Sequence, residues 1–155
     1  MLTIRPMTTD DLDAVLAIEQ VCFARPWTYS HFLAEIEAEH SKAVVAERNG
    51  HLAGYLCLSV LLDEAEILDI AVDPSLQRCG IGAALLCWAC DEASQQRATV
   101  LRLEVRATSL PALALYERYG FVRSGLRRAY YENNIDAVLM DKNLIVEEDA
   151  CSLRQ

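Results

Sequence analysis

The chain has 155 residues, 53% of them hydrophobic, with six glycines and four prolines, a composition that excludes disorder, collagen-like repeats and a disulfide-stapled miniprotein. A chain of this length buries roughly 68–70% of its unfolded surface, enough for a core without a metal or cross-link, so one compact domain is expected. The net charge of −9 argues against direct nucleic-acid binding but is unevenly spread: residues 1–76 carry 4 basic and 13 acidic groups, residues 77–131 carry 8 and 4, and residues 132–155 carry 2 and 6. A basic segment in an acidic protein suits a small anionic ligand, and the acidic remainder suits a cationic partner.

Leu2 to Arg5 alternates like a short strand. Thr8 to Asp11 reads as a capping start, after which Leu12, Val15, Leu16 and Val21 form an apolar helical stripe. Proline disfavours helical geometry in the residue before it, so this helix stops around Pro26. Ser30 is then expected to cap a second short helix whose core face is Leu33 and Ile36. Lys42–Glu47 and His51–Leu62 read as two strands joined by Asn49-Gly50, the pair that a type I′ hairpin turn favours. Glu66–Val72 is the next strand, closed by Asp73-Pro74. After a glycine-containing loop, Ile81, Leu85, Trp88 and Ala89 recur at helical spacing up to about Gln96. Val100, Leu101, Leu103 and Val105 mark a strand, and Leu110–Tyr119 a helix ended by Gly120. Strands over about Phe121–Ala129 and Ile135–Lys142 close the order β-α-α-β-β-β-α-β-α-β-β, and the residues from 145 read as a polar tail. The expected architecture is α/β (α+β in some schemes): one mixed, mostly antiparallel sheet of about seven strands with helices on both faces, over residues 1–144.

The longest apolar run, Tyr55–Leu62, falls far short of the roughly 20 residues of a membrane-spanning helix. The opening MLTIRPMTTDDL places charges where a signal peptide needs apolar residues. A cytoplasmic protein with no membrane association is expected, whose six cysteines (22, 57, 79, 87, 90 and 151) are reduced thiols, mostly apolar fillers. Cys87-x-x-Cys90 lies inside a helix rather than at its N-terminus, and no second Cys or His pair stands at zinc spacing, so neither a redox motif nor a metal site is expected.

The most informative stretch is ILDIAVDPSLQRCGIGAALL, residues 67–86: a strand, a turn, then Gln77-Arg78-Cys79-Gly80-Ile81-Gly82 opening a helix. Glycines let backbone N–H groups approach an anion, and the helix N-terminus adds its positive dipole end, so phosphate is the natural guest. A Rossmann loop fits poorly, because Asp73–Cys79 intervene between strand and glycines and Leu85 occupies the third glycine position.

This Gln-Arg-x-x-Gly-x-Gly-Ala pattern after Val-Asp-Pro resembles the acetyl-CoA-binding motif of the GNAT superfamily of N-acetyltransferases, whose element order is also matched. AVDPSLQRCGIGAALL, LRLEVRATSLPALALYERYGF and RRAYY resemble, more narrowly, the ribosomal-protein-alanine branch of that superfamily, and the resemblance covers about residues 1–144. It implies a GNAT fold whose sheet splays beside Glu66–Val72, so that backbone groups of Ile70, Ala71 and Val72 pair with the pantetheine arm of acetyl-CoA. It further implies that N–H groups of Arg78, Cys79, Gly80, Ile81, Gly82 and Ala83 hold the pyrophosphate. Tyr116 is matched to the general acid that protonates the departing thiolate, and Glu104 to the base that deprotonates the amine. Seven residues before the tyrosine the family usually has Asn; here Ser109 is either a cofactor contact or a helix cap.

Both proton transfers are demanded by the chemistry, since an α-amine of pKa about 7.7–8.0 is mostly ammonium at neutral pH and cannot attack a thioester until deprotonated. In the superfamily the first helix pair and the last hairpin wall the acceptor site, which directs attention to Trp27, Tyr29, Tyr130 and Tyr131; Trp27 can equally staple the helix pair to the core. Glu35, Glu37 and Glu39 with Asp63, Glu64 and Glu66 would make an acidic entrance for a basic peptide. The resemblance thus implies an acetyl-CoA-dependent Nα-acetyltransferase, a monomer or weak dimer, acting by direct transfer in a ternary complex on the N-terminal alanine of a small-subunit ribosomal protein. A lysine or small-amine acetyltransferase and a non-catalytic acyl-CoA sensor are the alternatives.

Overall fold

A computed structural model describes residues 1–144; the polar tail expected from 145 onward lies outside the described residues. The strands are β1 (Leu2–Pro6), β2 (Ser41–Arg48), β3 (His51–Leu61), β4 (Glu64–Val72), β5 (Val100–Arg106), β6 (Val122–Arg127) and β7 (Ala137–Asn143). The helices are α1 (Leu12–Cys22), α2 (Tyr29–Glu37), α3 (Ile81–Gln95) and α4 (Leu110–Arg118), so the element order is the expected one. All seven strands form one sheet in the order β1-β2-β3-β4-β5-β7-β6. The sheet is mixed: β1-β2, β2-β3, β5-β7 and β6-β7 are antiparallel, and β4-β5 is parallel. Parallel pairing joins Glu64–Glu66 to Val100–Arg102, whereas β5 pairs with β7 along its whole length. Among the described residues no helix is long and apolar enough to cross a membrane.

The chain forms two compact units, one of Met1–Ser59 with Leu68–Ala89, the other of Val60–Ile67 with the residues from Cys90 onward. In the first, α1 and α2 pack Leu12, Val15, Ile18 and Phe32 against Ala43, Val45, Tyr55, Cys57 and Ala71. The alternate strand positions Val44, Ala46, Leu56 and Leu58 are buried as well, as a sheet covered on both faces requires. The hairpin turn is as expected, with left-handed backbone at Asn49 (φ 54°) and Gly50 (φ 81°). Arg5 clamps the start of α1 to the sheet edge, its guanidinium forking onto both Asp11 oxygens at 2.7 and 2.8 Å while also meeting Glu47. Hydrogen bonding to Arg5 holds the Asp11 carboxyl below the usual carboxylate range.

Two local expectations are corrected. Val21 is 71% exposed, because it stands half a turn out of phase with Leu12, and Glu19, in phase with Leu12, takes a place in the interior. Thr28 rather than Ser30 caps α2: its hydroxyl accepts the His31 N–H at 3.3 Å, and its own N–H donates to His31 Nδ1 at 3.0 Å. Starting the helix earlier rotates Phe32 into the core at 0% exposure and leaves Leu33 and Ile36 half-buried.

In the second unit Leu101, Leu103 and Val105 bury one face of β5, and Arg102, Glu104 and Arg106 occupy the other. Gly120 ends α4 with φ 93°, and Phe121 behind it is buried against Tyr116 with ring centroids 6.0 Å apart.

Candidate functional site

The glycine loop lies in the first unit between β4 and α3. Asp73 closes β4, donating its N–H to the Ala53 carbonyl at 2.8 Å while its side chain accepts the Ser75 N–H at 2.9 Å. Pro74–Leu76 makes one 3-10 turn, and the backbone then takes left-handed geometry at Arg78 (φ 64°) and Gly80 (φ 82°). A Cβ at Gly80 would meet nothing within 4 Å, so glycine is needed there for its backbone conformation rather than for space. The first helical bond runs from Ala84 N–H to the Gly80 carbonyl at 3.0 Å. That leaves the N–H groups of Ile81, Gly82 and Ala83 without an intrahelical partner, at the positive end of the α3 dipole. Arg78 and Cys79 are exposed beside them. An array of open N–H donors, a helix dipole and a guanidinium fits a pyrophosphate.

Ile70 and Val72 on β4 are half-buried and Ala71 is buried; all three lie beyond the last residue pair of β4 with β5. Gly54 on β3 abuts this segment: a Cβ there would stand 2.7 Å from the Ala71 carbonyl oxygen, 3.3 Å from Val72 Cα and 3.4 Å from Ile81 Cγ2. One glycine thus sets the closeness of β3 to β4 and to the first residue of α3. Sequence reading missed it, although a glycine inside an apolar strand signals close backbone approach.

Trp27 and Tyr29 also belong to the first unit. The Trp27 ring packs on Phe32 (centroids 5.1 Å) and its backbone N–H donates to Glu19 at 2.9 Å, so it does staple α2 to the core; Tyr29 is exposed. Glu37 and Glu39 are exposed, and Glu35 accepts the Ser41 hydroxyl.

The second unit gathers Glu104, Tyr130 and Tyr131 around the outer face of β5. Glu104 Oε1 meets Arg127 of β6 at 3.1 Å, and the Arg127 guanidinium also lies 5.5 Å from the centre of the Tyr130 ring. Arg106 stands over Tyr131 at 4.6 Å and pairs with Glu132 at 2.5 Å. The two tyrosines meet edge to face at 5.1 Å. Burial pushes the Tyr131 phenol up, and the nearby Glu104 carboxylate adds to that. Glu66 is likewise raised, by burial and then by Glu104, against the opposing pull of Arg127 and Arg102. Register explains the gathering: Glu104 faces Leu139 of β7 and Arg106 faces Ala137, whose partner on β6 is Arg127. Glu64 pairs with Arg102 at 3.0 Å, and Asp63 is exposed.

Tyr116 projects from α4, 8% exposed. Ser109 occupies the N-cap position of that helix without a capping side-chain bond, so the capping alternative does not account for its hydroxyl. Its carbonyl accepts the Leu113 N–H at 3.0 Å.

The acetyltransferase (GNAT) family model matches residues 12–121, and the chain belongs to that family. Among its relatives is the ribosomal protein bS18-alanine N-acetyltransferase of Escherichia coli K12, 41% identical over 143 residues, which are 90% of this chain and 96% of that protein. The Nα-acetyltransferase RimI of Mycobacterium tuberculosis is 38% identical over 92% of each chain. The crystal structure of the E. coli ribosomal-protein-S18-alanine N-acetyltransferase superposes with a TM-score of 0.86 at 39% identity, covering 93% of this chain and 94% of that one.

Proposed function

We propose that this protein transfers the acetyl group of acetyl-CoA directly to the N-terminal α-amine of a protein, the acceptor being the alanine end of a small-subunit ribosomal protein. The observation that carries this reading is the 41% identity to the E. coli bS18-alanine enzyme over 90% of this chain, joined to the presence of Glu104 and Tyr116 on the matching motifs. Residues 1–144 are the acetyltransferase domain, 145–155 an appended tail, and the enzyme works in the cytoplasm as a monomer or weak dimer.

Acetyl-CoA supplies the activated acyl group. Arg78 and the N–H groups of Cys79 to Ala83 hold its pyrophosphate, the β4 edge from Ile70 to Val72 pairs with the pantetheine arm, and the Ser109 hydroxyl adds a contact. Glu104 accepts a proton from the acceptor ammonium, freeing the lone pair that attacks the thioester carbonyl. Tyr116 gives its proton to the departing sulfur. Trp27, Tyr29, Tyr130 and Tyr131 supply aromatic walls with polar tips to an extended chain end. The exposed carboxylates of Glu37, Glu39 and Asp63 favour a basic peptide and repel nucleic acid.

Thiol release from acetyl-CoA, followed with a basic peptide bearing a free N-terminal alanine, tests the assignment. Turnover is expected with the free peptide and little with its N-acetylated form, internal lysines notwithstanding. Equal acetylation of the blocked peptide would reassign the enzyme to lysine.

A further inference from the structure

A pair of buried carboxyl groups lies in the first unit, and the chemistry above makes no use of it. Glu19 of α1 is 2% exposed, yet both its oxygens are engaged: Oε1 accepts the Tyr55 hydroxyl at 2.6 Å and Oε2 accepts the Trp27 N–H at 2.9 Å. Asp69 of β4 is 8% exposed and hydrogen-bonded to Glu19 and to the Ile70 N–H, while its Oδ2 is buried with no hydrogen-bond partner.

Two carboxylates have no donor between them, so a hydrogen bond joining them requires one proton. Both Glu19 oxygens already accept a hydrogen bond, from Tyr55 and from Trp27, whereas Asp69 Oδ2 accepts none, so the geometry places the joining proton on Asp69. The titratable groups that interact with the pair are Tyr55 and Cys57 on β3 and Cys22 on α1, with Glu35 and Asp73 acting in turn on Cys57 and Cys22, and none of these is a cation. Burial is the main reason that the Asp69 carboxyl is pushed up to about 9.

We infer that Glu19 and Asp69 share one proton as a positioning device for the acceptor: Glu19 anchors the Trp27 backbone ahead of α2 while the proton on Asp69 ties Glu19 to β4 beside the Ile70 N–H. Neither residue touches a reacting atom; each acts through Trp27 and Ile70, so the inference rests on the acceptor and cofactor roles proposed for those two. Loss of the shared proton would set two buried carboxylates against each other and release the Trp27 anchor, which raises KM for the peptide and spares the chemical step.

Asp69→Asn is the discriminating variant, because its amide donates to Glu19 as the protonated acid does but does not titrate. It is expected to keep the wild-type kcat and KM at pH 7 and to hold KM low toward pH 9–10, where the wild-type KM climbs. Glu19→Gln turns one acceptor into a donor and cannot receive both Tyr55 and Trp27, so KM should rise roughly fivefold or more at every pH with kcat preserved. Identical KM-pH profiles for wild type and Asp69→Asn, or a Glu19→Gln effect confined to kcat, would overturn the inference.

Two readouts need neither activity nor the Gln variant. The infrared carbonyl band of a buried protonated carboxyl should be present at neutral pH in the wild type and missing from Asp69→Asn; a band that survives the substitution would refute the shared proton. Between the ordinary value of 3.8 and about 9, the folded chain keeps a proton that the unfolded chain has released, so rising pH favours unfolding. Asp69→Asn should flatten that slope, and an unaltered slope would count against the pair. If the wild type fails to acetylate the free peptide while the infrared and stability results hold, the pair stands and the acceptor assignment falls.

Discussion

Gly54→Ala is a one-carbon perturbation of the segment proposed to hold the cofactor. The new Cβ would lie 2.7 Å from the Ala71 carbonyl oxygen, nearer than Cβ atoms approach backbone oxygen in folded proteins. Its partner is main chain and cannot rotate away, and Val72 Cα at 3.3 Å and Ile81 Cγ2 at 3.4 Å close the alternative directions. β3 and β4 must therefore separate by about half an ångström, at an overpacking cost of about 1–3 kcal/mol. Alanine recovers up to about 1 kcal/mol through the lower entropy of its unfolded chain, so a net loss of about 1–2 kcal/mol is expected. For a domain of this size that is a fall in Tm of about 2–8 °C. Because the displaced atoms belong to Ala71, Val72 and the first residue of α3, acetyl-CoA affinity should fall about tenfold, about 1.4 kcal/mol. Thermal unfolding followed by circular dichroism, with calorimetric titration of acetyl-CoA into the folded variant, reads both quantities. Unchanged Tm and affinity would refute the packing argument; a lowered Tm with wild-type affinity would remove the Ile70–Val72 edge from the cofactor site.

Tyr116→Phe keeps the buried ring and its contact with Phe121 but removes the phenolic proton, so kcat should fall roughly 10²-fold with acetyl-CoA affinity similar; a wild-type kcat would send the thiolate to another acid. Glu104→Gln should lower kcat/KM at neutral pH and recover part of it as the pH passes the amine value of about 8, since more acceptor is then already neutral; a wild-type rate at pH 7 would dismiss Glu104 as the base. Arg127→Gln removes the guanidinium that a substrate ammonium must displace from Glu104. The pair is half-exposed, so peptide KM should drop about two- to fivefold with under about 1 kcal/mol change in stability, and a raised KM would show that Arg127 assists the acceptor instead.

Much of the architecture was legible in the sequence because it depends on neighbours a few residues apart. Asn49-Gly50 specifies its hairpin through backbone conformations that few other residue pairs accept, Gly120 ends α4 for the same reason, and the Ile81-Leu85-Ala89 stripe reports one helical face. The glycine loop was legible too, since strand, turn, glycines and helix N-terminus are contiguous. Where two local rules competed, the sequence was silent about the winner: Thr28 and Ser30 are both good caps, and only the fit of Phe32 beneath Trp27 and against Tyr55 selects Thr28. Glu19 lay in phase with Leu12 and Asp69 interrupted an apolar strand, yet each alone reads as a solvated carboxylate. Fifty residues separate them in the chain, and their role exists only because α1 crosses β3 and β4 where the Tyr55 hydroxyl can complete the network. The Glu104–Arg127 pair is of the same kind: β5 and β6 each pair with β7, and β7 between them sets the register that brings carboxylate and guanidinium together. Local geometry is written in short-range sterics and hydrogen bonding, whereas the ionisation and partners of a buried or gathered charge are decided by which distant strands the sheet makes adjacent.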